Sequence, residues 1–283
     1  MTRLLAVTAL ALAPVATGPA IVFTRGAVLF VSDRGGARSL AHYGTNPVWS
    51  ADGKRIAFEY NGDVFAVGAD GRGRKLLVRN ALQPAWSPDG ESIAYASAGP
   101  NVDVYVAGAD GSHPRRLTHG RGVDATPTWS PDGRRIAYTS QRWCAVRTLP
   151  GCSTQIFVMN RDGGGKRRLT SSWFNNIRPR FSPDGRRVVW LRAYVDYYEN
   201  VVTTAPDSLY VVVVGDVDGP RRRTLTTQSE RAWAATFSPD GRRVLFSLER
   251  VHPPWHLAVV AVGGGPVRVL THADRDDLGA DWR

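Results

Sequence analysis

Trp129-Ser130-Pro131-Asp132-Gly133-Arg134-Arg135-Ile136-Ala137-Tyr138 is the stretch on which the reading of this chain turns. An aromatic closes one short apolar segment, a polar turn follows, and a second apolar segment begins. In the turn, Pro pre-sets φ, Asp can bond the local backbone and Gly accepts φ > 0. The same phrase returns as Trp49-Ser50-Ala51-Asp52-Gly53, Trp86-Ser87-Pro88-Asp89-Gly90, Phe181-Ser182-Pro183-Asp184-Gly185 and Phe237-Ser238-Pro239-Asp240-Gly241, and Asp281-Trp282-Arg283 begins a sixth copy. Ala51 shows that Pro helps the turn without being required.

Working outward, each copy resolves into four short strands. Strand one ends in the aromatic. Strand two is Ile56-Ala57-Phe58 and its counterparts, and strand three is Val64-Phe65-Ala66-Val67, Val104-Tyr105-Val106, Ile156-Phe157-Val158-Met159 and so on. A glycine turn such as Asp110-Gly111 leads to a basic fourth strand ending in Leu-Thr, as in Arg115-Arg116-Leu117-Thr118. The aromatics stand 37, 43, 52, 56 and 45 residues apart, a period that suits four-stranded propeller blades with loop insertions. The N-terminal segment supplies strands two to four of one more blade, from Ile21-Val22-Phe23 through Arg38-Ser39-Leu40, and lacks only strand one. Ala280-Asp281-Trp282 provides it. The expectation is an all-β, six-bladed β-propeller of four-stranded antiparallel blades, its ring closed by the C-terminal strand joining the N-terminal blade and only short sheet edges left exposed.

The repeat Pro-x-Trp-Ser-Pro-Asp-Gly-x-x-Ile-Ala-Tyr, followed by Asp-Gly and Arg-x-Leu-Thr, resembles the WD-like repeats of TolB-type β-propellers over nearly the whole chain. Similar propellers serve as the TolB protein of the Tol-Pal envelope system and as regulatory domains of prolyl-oligopeptidase-like peptidases. TolB carries an additional N-terminal α/β domain, for which the residues before Ile21 leave no room, and the peptidases need a hydrolase domain. The resemblance therefore implies the fold and names no partner.

At 283 residues, 43% hydrophobic and 22% charged, the chain is long and apolar enough for a sizeable core. Met1-Thr2-Arg3, the apolar run Leu4 to Ala13 and the small residues through Ala20 have the layout of a secretory signal peptide. This divides the chain into a signal peptide at 1–20 and one propeller domain at 21–283. No later stretch approaches the ~18 apolar residues of a membrane span. The expected location is periplasmic or extracellular, with the signal cleaved. Cys144 and Cys152, in one loop of an exported chain, are most simply a local disulfide, a free buried pair being the alternative.

Propeller geometry puts the Ser-Pro-Asp-Gly and Asp-Gly turns on one face, short and uniform, and the variable loops on the other, where binding usually resides. Trp143, Trp173, Trp233 and Trp255 all fall in variable-face loops, with Phe174, Tyr194, Tyr197, Tyr198, Arg231 and His252 beside them. Aromatics with Arg are the usual anchors of buried interfaces, and aromatic faces also suit sugar rings. The competing reading is a small satellite core that keeps long loops ordered. On the uniform face, Lys54-Arg55, Arg134-Arg135, Arg186-Arg187 and Arg242-Arg243 predict a basic ring suited to weak contact with an anionic surface, consistent with a net charge of +11.

Catalytic signals are weak: there is no Gly-x-Ser-x-Gly elbow, His-Glu-x-x-His or phosphate-binding loop. The expectation is a non-catalytic exported module that binds an envelope protein or peptide, or a glycan, with no cofactor, no metal and no nucleic acid. A metal-assisted hydrolase or polysaccharide lyase is the enzymatic alternative, and a stand-alone relic of a peptidase propeller is a third reading.

Overall fold

The computed structural model describes residues 20–33, 36–120, 122–141, 153–193, 210–249, 254–272 and 274–283. Its strands form six four-stranded antiparallel sheets, each one a blade. Blades 1 to 5 take their strands in chain order, beginning at the inner strands Thr45–Trp49, Ala81–Trp86, Asp124–Trp129, Asn175–Phe181 and Arg231–Phe237. Blade 6 joins the two ends of the described chain: Asp277–Trp282 is the inner strand beside Ile21–Arg25, with Ile21 opposite Trp282. The ring closes as the sequence predicts.

The repeated phrase is a closed hydrogen-bond unit. In blade 3 the buried Ser130 hydroxyl donates to Asp132 Oδ1 at 2.5 Å and accepts the Arg135 N–H at 2.9 Å, while Asp132 Oδ1 accepts the Arg134 N–H at 3.1 Å. Blades 1, 2, 4 and 5 repeat it with Ser50, Ser87, Ser182 and Ser238. Gly133, at φ 68°, turns the chain through the left-handed region that a side chain would disfavour. Bonds from the serine hydroxyl and the backbone N–H hold the carboxyls of Asp52, Asp89, Asp132 and Asp240 below the usual carboxylate range. The Leu-Thr ending has its own purpose: the threonine hydroxyls of Thr118, Thr170, Thr226 and Thr271 each accept a strand-three N–H at 2.9 Å, from Val104, Ile156, Val212 and Leu257.

The cores lie between blades. Val22, Leu29, Val31 and Leu40 of blade 6 pack with Trp49, Ile56 and Phe58 of blade 1, and five similar clusters complete the circle. Arginines reinforce these seams. Arg55 lies over Trp86 of the next blade at 4.4 Å, Arg135 over Phe181, Arg187 over Phe237, Arg243 over Trp282, and Arg283 over Trp49. Arg55, Arg135, Arg187 and Arg283 also donate to the carbonyl of the next blade's turn glycine. Within the expected basic ring, the second cation of each pair is thus an inter-blade staple, and Lys54, Arg134, Arg186 and Arg242 are left as its exposed members.

Candidate functional site

Each inner strand carries a bulge three residues before its aromatic, where the pairing register shifts. The residues there are Asn46, Gln83, Thr126, Arg178, Ala234 and Gly279, all at φ between 48° and 63°. Four of them precede Pro47, Pro84, Pro127 and Pro179, and a bulge tolerates proline because it leaves an N–H outside the ladder. Together these six positions line the upper part of the central channel. Non-Gly residues in the left-handed region are strained and persist only where the surroundings hold them.

Here the surroundings are a polar chain that crosses the ring. Arg178 of blade 4 donates to Asn46 Oδ1 of the opposite blade 1 at 3.0 Å. Asn46 Nδ2 donates to Glu59 Oε1 at 2.9 Å, and Glu59 Oε1 also accepts the Gln83 N–H of blade 2 at 2.5 Å. Gln83 Oε1 accepts the Thr126 N–H of blade 3 at 2.8 Å. The Arg178 guanidinium lies 4.2 Å over the ring of Trp233 in blade 5. Five blades are thereby tied together across the axis. The space left at this level is about 40 Å³, roughly two or three waters' worth. Burial pushes the Arg178 guanidinium down to about 10, against the pull of Glu59, so it stays charged at neutral pH. Burial raises the Glu59 carboxyl, opposed by the Gln83 N–H, the Asn46 amide and Arg178.

Below this level a second compartment of about 180 Å³ is bounded by Trp49, Trp86, Trp129, Phe181, Arg180 and Asp281 among others. Asp281 Oδ2 accepts the Trp49 N–H at 2.9 Å, and burial holds its carboxyl above the ordinary range against the attraction of Arg180.

Of the residues singled out from the sequence, Trp143, Tyr194, Tyr197, Tyr198, His252, Cys144 and Cys152 lie outside the described residues. The others are on the variable face but in different states, and Trp233, expected in a loop, stands on the inner strand Arg231–Phe237, because the pairing with Arg243–Glu249 continues past the bulge back to Arg231. Trp173 is 70% exposed. The backbone on either side of it is pinned: Gln155 Nε2 donates to the carbonyls of Ser172 at 2.8 Å and Phe174 at 3.1 Å, and Asn176 Nδ2 donates to Phe174 O at 2.9 Å. Asn176 is itself buried and accepts the Trp190 indole N–H at 2.8 Å. Phe174 is half-buried with Arg192 at 5.9 Å over its ring. Trp233 is half-buried between Arg178 and Tyr210, whose ring centroid is 5.7 Å away, and packs against the core between blades 4 and 5. Arg231 is ion-paired with Glu249 at 3.1 Å. Trp255 is held by its backbone, its N–H donating to Asp276 Oδ1 and its carbonyl accepting the Asp277 N–H, both at 2.9 Å.

Sequence reasoning missed the channel residues Asn46, Glu59, Gln83, Arg180 and Asp281. The available signal was the aligned position three before each aromatic, occupied by six different residues and followed by proline in four blades. Among the described residues, no three of His, Cys, Asp and Glu gather as a metal site would need.

A family model described as the TolB beta propeller domain matches residues 45–201. TolB from Acinetobacter baumannii is 20% identical and superposes with a TM-score of 0.77 over 93% of this chain, which spans 66% of that protein's chain. A putative TolB from Agrobacterium tumefaciens is 21% identical, with a TM-score of 0.69, covering 93% of this chain and 92% of the other. A chain of a nidogen/laminin complex, 14% identical, has a TM-score of 0.70 over 93% of this chain and 97% of its own.

Proposed function

We propose that this chain, which belongs to the TolB β-propeller family, is a non-catalytic binding module exported to the cell envelope that takes a protein or peptide on its variable face. The observation that carries this reading is Trp173: a large aromatic left 70% exposed, on a backbone fixed by Gln155 and Asn176. An anchor that is rigid before binding loses little conformational freedom on docking, so more of its apolar burial appears as affinity. A satellite core would have buried the indole. Half-buried Phe174 and Trp255 would extend the contact on the same face.

An envelope location fits both family membership and the signal-like residues 1–20. Envelope extract passed over immobilised protein, with chemical cross-linking to trap the partner, tests the reading. Wild type is expected to retain a discrete partner that Trp173→Ala does not; equal retention by both would remove Trp173 from the site.

A further inference from the structure

On the turn face, an open groove of about 670 Å³ runs between blades 4 and 5. Five arginines line it, Arg187, Arg221, Arg222, Arg223 and Arg242, and among its described lining residues Asp216 is the one carboxylate. Among the described residues, the side-chain hydrogen bonds of these arginines go to carbonyls. Arg222 donates to the carbonyls of Asp216, Gly219 and Leu169 at 3.0, 2.8 and 3.2 Å, Arg223 to Gly263 and Arg187 to Gly241. Carbonyls satisfy donors without cancelling charge. Asp240 at the rim is already engaged by Ser238 and the Arg242 N–H.

The neighbouring seam provides an internal control. Between blades 3 and 4 the equivalent arginines are Arg135, which matches Arg187, and Arg167, which pairs with Val158 as Arg223 pairs with Val214. Both are ion-paired to Asp218, Arg135 at 3.2 Å. Asp218 follows Val217, whose N–H donates to Arg186 O as the Val262 N–H donates to Arg242 O, so its counterpart in blade 5 is Gly263. The carboxylate that neutralises one seam is thus absent from the next.

We infer that this groove is an anion-docking site that seats the phosphate headgroups of an anionic lipid surface. Guanidinium forks match phosphate oxygens in pairs. The groove is open rather than enclosed, and the exposed Lys54, Arg134 and Arg186 lie on the same flat face of short turns, which together suit a planar array of phosphates better than one small ion.

Gly263 can be changed without disturbing the fold. A Cβ there would meet nothing within 4 Å, and its φ is not in the left-handed region. Gly263→Asp therefore transplants the blade 4 solution into blade 5. Wild-type protein is expected to sediment with mixed phosphatidylcholine–phosphatidylglycerol vesicles, to be released by salt, and to ignore pure phosphatidylcholine. Gly263→Asp should lower partitioning about five-fold and Arg221→Glu more, with unfolding temperatures unchanged, while Lys54→Glu on blade 1 lowers it least. Wild-type partitioning by Gly263→Asp, or equal losses from Lys54→Glu and Arg221→Glu, would overturn the groove as the site. Stabilisation by inorganic phosphate at matched ionic strength without vesicle binding would overturn the lipid surface as its occupant.

Discussion

Trp173 precedes the inner strand of blade 4, which begins at Asn175, whereas Trp233 lies within the inner strand of blade 5, one residue before the bulge at Ala234. Partners distant along the chain widen the difference: Arg178 and Tyr210 flank Trp233, while among the described residues no such shelf covers Trp173. Truncating Trp233 to Ala should therefore cost roughly 2–3 kcal/mol and lower the unfolding temperature by about 5 °C, whereas Trp173→Ala should leave it nearly unchanged; thermal unfolding of both variants checks this. Glu59 gives a pH signature. Its carboxyl is raised in the folded state, so the folded protein holds that proton more tightly, and the associated stability is present at acid pH and fades as pH rises from the unfolded value through the folded one. Glu59→Gln keeps an acceptor for Asn46 and Gln83 and removes the titration. The difference in unfolding free energy between wild type and variant should therefore change as pH rises above the usual glutamate range, and a constant difference would contradict the assignment.

The blade is the scale at which the sequence was most legible. Ser, Asp and Gly of the turn and Leu-Thr of strand four each perform one local task, and local tasks leave a repeated mark, the turn in five blades and Leu-Thr in four. Replacing Thr170 with Val strands the Ile156 N–H and frees Gln155 Oε1 of its hydroxyl donor, so it should cost about 1–3 kcal/mol in denaturant unfolding. The bulge was not legible. Its six residues share a backbone conformation and no side chain, and Arg178 finds its partner Asn46 on the far side of the ring, 132 residues away. The paired basic residues were visible, but not that Arg55, Arg135, Arg187 and Arg243 face the next blade while their neighbours face solvent. Which of two adjacent arginines turns inward is decided by strand alternation and by the aromatic waiting across the seam.

At the scale of the whole molecule, closure depends on one strand. Asp277–Trp282 completes blade 6, and its loss would expose the edge of Ile21–Arg25 and the cores on both sides. A chain ending at Asp276 should lose cooperative unfolding altogether, as calorimetry would report. A closed ring of short seams also explains how two faces can differ in purpose: variable loops on one side present aromatics, and turns on the other present charge, with a channel tied shut by Arg178 between them. On this reading the variable face binds a partner through an exposed indole carried on a fixed backbone. The most direct test is cross-linked capture from envelope extract by wild type and Trp173→Ala, alongside their unfolding temperatures. Trp173→Ala is expected to lose the partner and keep its stability; undiminished capture, or a loss of binding that merely tracks a loss of fold, would contradict the proposed role of Trp173.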